Sequence, residues 1–353
     1  MRVLLLARYG PLGSASRVRF YQYLPYLRAH GVEITLSPLL ADEYVTNLYT
    51  GKRQSPGFLA RAYLTRLRAL LAARQFDLIW LEKEALPWLP AGFETPLLRT
   101  PLVADYDDAV FHRYDMHPRR FIRALLGRKI DAVMRHAALV VAGNAYLAAR
   151  AEQAGAKQVE ILPSVVDTSR YAPTSPSHSN SFTIGWIGAP VTAPYLQQIQ
   201  PALAEICANG AARVILVGSG HVTLPGVPLE IRPWTEATEV ADIQQFDVGI
   251  MPLPDEPFER GKCGYKLIQY MACGLPVVAS PVGVNQQIVE PGLNGFLATS
   301  PEEWVTALQT LRTSPSLRTQ MGLAGRVKTE QFYSLQANAP KLLNLLQNVK
   351  RRT

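Results

Sequence analysis

Apolar positions in the first half of the chain gather in short runs: Val3–Ala7, Val32–Leu36, Leu78–Leu81, Leu102–Tyr106, Leu139–Ala142 and Val159–Leu162. Val3–Ala7, Leu78–Leu81 and Leu139–Ala142 are apolar throughout, and continuous apolar runs of this length predict parallel strands buried on both faces. Between them lie helical patterns at Arg17–Ala29, Leu59–Arg74 and Arg120–His136. Strand alternating with helix predicts a doubly wound α/β sheet. A polar, proline-rich stretch follows, PTSPSHSNS at 173–181, and reads as a linker. The pattern then restarts, with strands at Phe182–Ile187, Arg213–Val217, Leu229–Arg232, Val248–Met251 and Val277–Ala279 and a helix at Ala193–Asn209. The expected organisation is a domain over 1–172, the linker 173–181, a second domain over 182–333, and a helix over 334–353 packing across the boundary. Two such domains facing each other would place a ligand cleft along loops at the carboxyl ends of both sheets.

Composition changes this picture at two points. The net charge of +8 is lopsided: residues 1–170 hold 23 Lys and Arg against 15 Asp and Glu, and 171–353 hold 13 of each. An anionic surface or partner is expected on the first domain only. Two basic helices carry the excess, Phe58–Arg74 with Arg61, Arg66, Arg68 and Arg74, and Pro118–Arg135 with Arg119, Arg120, Arg123, Arg128, Lys129 and Arg135. A solvated helical face is the plain reading, and attachment to anionic lipid head groups the sharper one. Nucleic acid would attract the same charge, but no stacking motif or known module accompanies it. Cys207, Cys263 and Cys273 have neither disulfide nor metal-ligand spacing, which fits a reducing cytoplasm. No apolar run reaches the roughly 18–20 residues of a membrane span, and MRVLLLARYG reads as a first strand and not a signal peptide.

Candidate chemistry lies in loops after strands. The first, Arg8–Arg17, holds Gly10, Gly13, Ser14 and Arg17. It is suited to close approach of a phosphate or sugar, or is an ordinary turn with a serine helix cap. The second carries Asp105, Asp107 and Asp108, three carboxylates in four positions. Crowded carboxylates want a cation, donors or solvent; Asp108 as a helix cap and a carboxylate poised near a sugar are the competing readings. In the second domain Gly188, Gly218, Arg232 and Trp234 follow strands, with Trp234 either stacking on a nucleobase or buried in the core. The histidines at 112, 117, 136 and 221 show no triad or metal spacing.

The densest signal is GKCGYKLIQYMACGLPVVASPVG at 261–283. A glycine turn leads into a short amphipathic helix flanked by Lys262 and Lys266, then into a buried strand. A helix start presents backbone N–H groups and a positive dipole end, so the unit suits an anionic ligand. Tyr265-Lys266-Leu267, Tyr270 through Ser280, Gly283 and Gly292 through Leu297 together resemble the retaining glycosyltransferases of family 4, which have the two-domain GT-B fold. Ala142-Gly143-Asn144, Ile161 through Asp167 and Gly185 through Gly188 extend the resemblance over nearly the whole chain.

The resemblance implies sugar transfer from a nucleotide-diphosphate sugar, with retention, to a glycan or lipid-linked acceptor in cell-envelope polysaccharide or glycolipid synthesis. It assigns the donor diphosphate to Arg260, Lys262, Gly264, Tyr265 and Lys266, and the nucleoside to Gly188, Gly218, Arg232, Trp234 and Gln269. The acceptor and sugar loop is Gly10, Gly13, Ser14, Arg17 and Asp108. Lys266 would neutralise the leaving group, and Asp107, where the family often has a histidine, would steady positive charge on the sugar. No metal or other cofactor is expected. Location is expected in the cytoplasm, peripheral to the inner face of the membrane. Two departures stand out: the family's Glu-x7-Glu pair is Gly261 and Gln269 here, and Ile187–Gln200 lacks the usual basic residues. Glu259 or Arg260 would have to reach the first vacancy. The rival readings are a same-fold epimerase and a sugar-nucleotide-binding protein without catalysis.

Overall fold

The computed structural model describes residues 1–49, 54–173 and 181–352. The expected linker therefore lies outside the described residues except for Pro173 and Ser181. The chain divides into two compact units. The first comprises Met1–Ser164, Arg260–Cys263 and the chain from Asn338 onward; the second comprises Val165–Glu259 and Gly264–Ala337. The division differs from the expected one at Arg260–Cys263, which fall in the first unit, and at Val165–Ala172, because Val166 is held in the second unit: its N–H donates to Tyr333 O (3.0 Å) and its carbonyl accepts from Leu335 N–H (2.8 Å). The last helix, Leu335–Arg352, contributes to the first unit from Asn338 onward, where Lys350 reaches Asp77 (3.1 Å).

The first unit holds a six-stranded sheet of β1 (Arg2–Leu6), β2 (Glu33–Leu36), β3 (Leu78–Glu82), β4 (Leu102–Tyr106), β5 (Leu139–Ala142) and β6 (Val159–Ile161). The order is β2-β1-β3-β4-β5-β6, and all pairs are parallel. β3, β4 and β5 are buried at every position, with Glu82 at the end of β3 and Asp105 in β4 the two acids among their apolar residues. The expected helices are broken by their own residues: Arg17–Ala29 becomes Ser14–Arg19, a single 3-10 turn and Leu24–Ala29, and Arg120–His136 divides at Gly127-Arg128.

The second unit holds β7 (Phe182–Ile187), β8 (Ala212–Val217), β9 (Leu229–Arg232), β10 (Val248–Met251), β11 (Val277–Ala279) and β12 (Gly295–Leu297), ordered β12-β11-β10-β7-β8-β9 and again parallel. Successive residues of β8 pack on opposite faces. Val214 and Leu216 join a cluster with Trp186, Leu203 and Trp304, whereas Ile215 and Val217 join one with Phe246, Tyr270 and Met271. Both faces are thus covered. In each unit the strand order reverses beside its first strand, at β1/β3 and at β7/β10, and ligands of doubly wound sheets bind outside that point.

Candidate active site

In the first unit the polar residues collect at the carboxyl ends of β1, β3 and β4. Immediately after β3, Lys83 sits at φ +63°, a conformation unfavourable for a side chain with a Cβ. Its N–H donates to Asp105 O (3.0 Å), which holds it beside β4. The nearly buried Lys83 ammonium lies 2.8 Å from Asp107 Oδ1 and 3.5 Å from Asp108 Oδ2. Lys262 Nζ approaches Asp108 Oδ1 at 3.9 Å. Asp105 is gripped by Arg19 through two bonds of 2.8 and 3.2 Å, and Arg19 also donates to Leu162 O (2.8 Å). The three crowded carboxylates are therefore answered by the protein's own cations. Among the described residues no group of three or more His, Cys, Asp or Glu could hold a metal ion.

These pairings set the protonation states. Burial works against ionisation of Asp107, but Lys83 outweighs it and holds the carboxyl below its ordinary range. Burial likewise disfavours the Lys83 ammonium, and Asp107 and Asp108 outweigh it and raise the pKa. The Cys263 thiol, donating to Asp107 O at 3.1 Å, is pushed well up by burial and by Asp107, so it is a packing group with little thiolate character. Sequence reasoning passed over Lys83 and Arg19, which complete this cluster.

The glycine loop after β1 has a different internal logic from the expected one. The helix Ser14–Arg19 starts from Gly13 with no side-chain cap. Ser16 instead donates to Glu82 Oε2 (2.6 Å) and accepts from Tyr9 N–H (3.0 Å), tying this loop to the end of β3. Gly10 donates to Leu40 O (3.1 Å), Ser14 is exposed and Arg17 is buried. Asp108 is not a helix cap, since the next helix, His112–Asp115, begins after Phe111.

A second tether fixes the segment 260–263 within the same unit. Asn144 follows β5 and caps the helix Ala145–Gln153, accepting from Leu147 N–H (3.0 Å). Its amide nitrogen donates to the carbonyls of Gly261 and Lys262, each at 3.0 Å. Gly261 then lies against Ala109: a Cβ there would stand 2.5 Å from Ala109 Cβ and 2.9 Å from its nitrogen. The position where the family has its first glutamate has no room for any side chain.

The second unit carries the rest of the expected donor residues. Gly264 has φ +64°, which glycine adopts without penalty, and opens the helix Tyr265–Ala272, which has no side-chain cap. The positive end of that helix and Lys266 in its first turn face the carboxyl-end loops of the sheet. Lys266 Nζ is 5.3 Å from the centre of the Trp186 ring, and a Cβ on Gly188 would lie 2.8 Å from Lys266 Cε. A Cβ on Gly218 would lie 2.4 Å from Gly188 O and 2.9 Å from Trp234 Cβ. Gly188, Gly218, Trp234 and Lys266 are thus brought together. The expected diphosphate set is divided by unit, with Arg260 and Lys262 in the first and Gly264, Tyr265 and Lys266 in the second.

Two expected nucleoside contacts are engaged otherwise. Arg232 is held by Glu230 (2.5 Å) and Asp242 (2.8 Å). Gln269 is buried and donates to the Tyr171 hydroxyl (3.0 Å), which donates in turn to Glu239 (2.7 Å). Glu239 also receives Trp234 Nε1–H (2.9 Å) and Arg170 (2.8 Å), so a buried carboxylate absent from the sequence reading organises this corner. Glu259 accepts from the Tyr195 hydroxyl.

Known proteins supply the context for this geometry. Residues 182–314 match the family model of the glycosyl transferases group 1. Over 97% of its length the chain is 24% identical to the sulfoquinovosyl transferase of Arabidopsis thaliana, covering 72% of that protein. It is 26% identical, over 54% of its length, to 57% of a GDP-mannose-dependent monoacylated alpha-(1-6)-phosphatidylinositol monomannoside mannosyltransferase of Corynebacterium glutamicum. The fold matches HepE of Anabaena, solved with UDP-glucose, at a TM-score of 0.73 and 20% identity, across 99% of this chain and 100% of that one. The chain is therefore a glycosyltransferase of the GT-B fold, with a group 1 glycosyl transferase domain over 182–314.

Proposed function

We propose that this transferase moves a sugar, with retention, from a nucleotide-diphosphate sugar to a glycan or lipid-linked acceptor in cell-envelope polysaccharide or glycolipid synthesis. The observation that carries the donor assignment is Lys266 in the first turn of a helix entered through a left-handed glycine, beside Gly188, Gly218 and Trp234. Negative charge grows on the diphosphate as the glycosidic bond breaks. A lysine and a helix start in place beforehand favour that state more than the ground state. Arg260, Lys262, Gly264 and Tyr265 complete the proposed diphosphate set. Gly188, Gly218 and Trp234 are the proposed nucleoside wall, with Arg232 and Gln269 supporting it through Glu230, Asp242 and Tyr171.

Asp107, kept ionised by Lys83, is the proposed group that steadies positive charge developing on the sugar. Gly10, Gly13, Ser14, Arg17 and Asp108 are the proposed acceptor-side residues. The reaction so written draws on no metal and no cofactor. UDP-glucose in the HepE complex and the GDP-mannose named for the corynebacterial relative support a nucleotide-sugar donor. The phosphatidylinositol monomannoside named for that relative and the basic excess of residues 1–170 support a lipid-linked acceptor at an anionic membrane face; the proposed location is the cytoplasm, and no nucleic-acid partner is proposed. Lys266→Ala should lower kcat/KM by roughly a hundred- to a thousandfold with an unchanged melting curve. Steady-state release of nucleoside diphosphate measures it, and full activity in the variant would refute the role given to Lys266.

A further inference from the structure

The basic residues of the first unit are not equivalent. Arg66 is 1% exposed and donates to the carbonyls of Ala7, Ser37 and Ala85, so it braces the fold. Arg123 is spent on His117 O (2.6 Å) and Pro118 O (2.9 Å). Arg119, Arg120 and Arg128 are exposed. The helix they flank, Arg120–Leu126, turns two large apolar side chains outward, Phe121 at 64% and Leu125 at 59% exposure. They are four positions apart and share one helix face. An ordinary solvated face would be polar there.

The apolar surface continues on the neighbouring loop. Trp88 is 46% exposed although its backbone takes φ +63°. Its N–H donates to the Tyr114 hydroxyl (3.1 Å), and its ring meets Tyr114 and His117 edge-on at 5.2 and 6.0 Å. His117 is the residue whose carbonyl Arg123 holds, so Trp88 and the start of the helix at 120 belong to one surface. Asp115 is the acidic residue of the span 112–130, and it is paired to Arg150 (3.0 Å) and to His112.

We infer that Trp88, Phe121 and Leu125, ringed by Arg119, Arg120 and Arg128, form the surface by which the first unit docks on an anionic lipid bilayer. The inference deepens the membrane part of the proposed function and rests on that reading. Charge complementarity selects the partner: the arginines match anionic head groups and the apolar tips enter the headgroup boundary, where tryptophan is favoured. The surface brings the transferase to lipid-linked substrates without a spanning segment. Among the described residues no helix is long and apolar enough to cross a membrane.

Flotation with vesicles tests it. The whole protein should bind vesicles of phosphatidylcholine mixed with phosphatidylglycerol and should not bind phosphatidylcholine alone. Replacing Arg119, Arg120 and Arg128 together by glutamine should weaken binding on the order of a hundredfold at low salt, at about one kcal/mol for each basic residue. Phe121→Ser with Leu125→Ser should weaken it at least about tenfold, and that loss should persist at high salt, where the arginine contribution is screened. Each variant is checked for an unchanged melting curve and for donor turnover with a water-soluble acceptor. Wild-type protein that turns over donor without binding anionic vesicles overturns the docking surface and leaves the transferase assignment standing. Binding without turnover does the reverse. Vesicle binding unchanged in both variants, or self-association abolished by Phe121→Ser, overturns the proposal in favour of another surface or a second copy of the chain.

Discussion

At the residue scale the pair Lys83–Asp107 carries the most information. A lysine in a left-handed backbone, buried against two carboxylates, combines conformational strain of roughly 1–3 kcal/mol with desolvation of a charge. Such an arrangement persists only where its surroundings over-determine it, and those residues cluster at functional sites. Lys83 holds the Asp107 pKa down, so Asp107 stays ionised until well below neutral pH. Lys83→Met removes the cation while burial remains, and the Asp107 pKa then rises. The acid limb of the kcat/KM profile should therefore move to higher pH, whereas Lys83→Arg should keep it near its wild-type position. An identical profile in Lys83→Met would show that Asp107 ionisation does not govern turnover. Nothing local in the sequence announces this pair, because the partners stand 24 positions apart and meet only when β3 and β4 align. The three aspartates were legible as a group in need of cations; which cations answer them was a matter of topology. Arg66 was misleading for the opposite reason, since an arginine within an exposed-looking stripe turns inward to three carbonyls.

At the scale of elements, central strands such as β3 and β5 were legible because burial on both faces leaves apolar runs, whereas β2, β6 and β9 are exposed or only partly buried and carry charged residues. β12 was not legible, since it is only three residues long, a buried glycine followed by the partly buried Phe296 and Leu297. Helix interruptions follow from particular residues, Gly127 in the first unit and Pro194 within the 3-10 stretch Pro190–Ile199 in the second. The helices Pro301–Thr313 and Pro315–Phe332 escaped notice although Ser300 and Glu303 form a full capping box. Asn144 shows an element end serving two purposes, since one side chain caps a helix and tethers the backbone at 261 and 262. Asn144→Ala removes the cap, at about 1 kcal/mol, and two further bonds at about 1 kcal/mol each. A loss of about 3 kcal/mol in urea unfolding is expected, against about 2 kcal/mol for Asn144→Asp, which keeps the cap and loses both tether bonds. Equal losses in the two variants would assign the whole effect to the tether at 261 and 262.

At the scale of the molecule, charge and chemistry are partitioned by sequence half, with the basic excess in 1–170 and the group 1 domain in 182–314. Binding of a nucleotide to the second unit should raise whole-chain stability in proportion to RT ln(1 + [L]/Kd), about 2.7 kcal/mol at a hundredfold excess over Kd. UDP and GDP should therefore differ in thermal shift according to the base preferred, and Lys266→Ala should shrink the shift for diphosphates much more than for the free nucleosides. Equal shrinkage for nucleoside and diphosphate would place Lys266 at the base instead of the phosphates.

The packing of Gly261 against Ala109 has a consequence for the order in which this protein could change. An acid restored at 261 by a single substitution meets the backbone nitrogen of Ala109 before it reaches any ligand, so the step fails on packing whatever its chemical merit. Making Ala109 a glycine first relieves one contact and leaves the other, the nitrogen at 2.9 Å, to be taken up by a small backbone shift. A side chain at 261 therefore requires a prior change at 109, so substitutions at the two positions are expected to be epistatic.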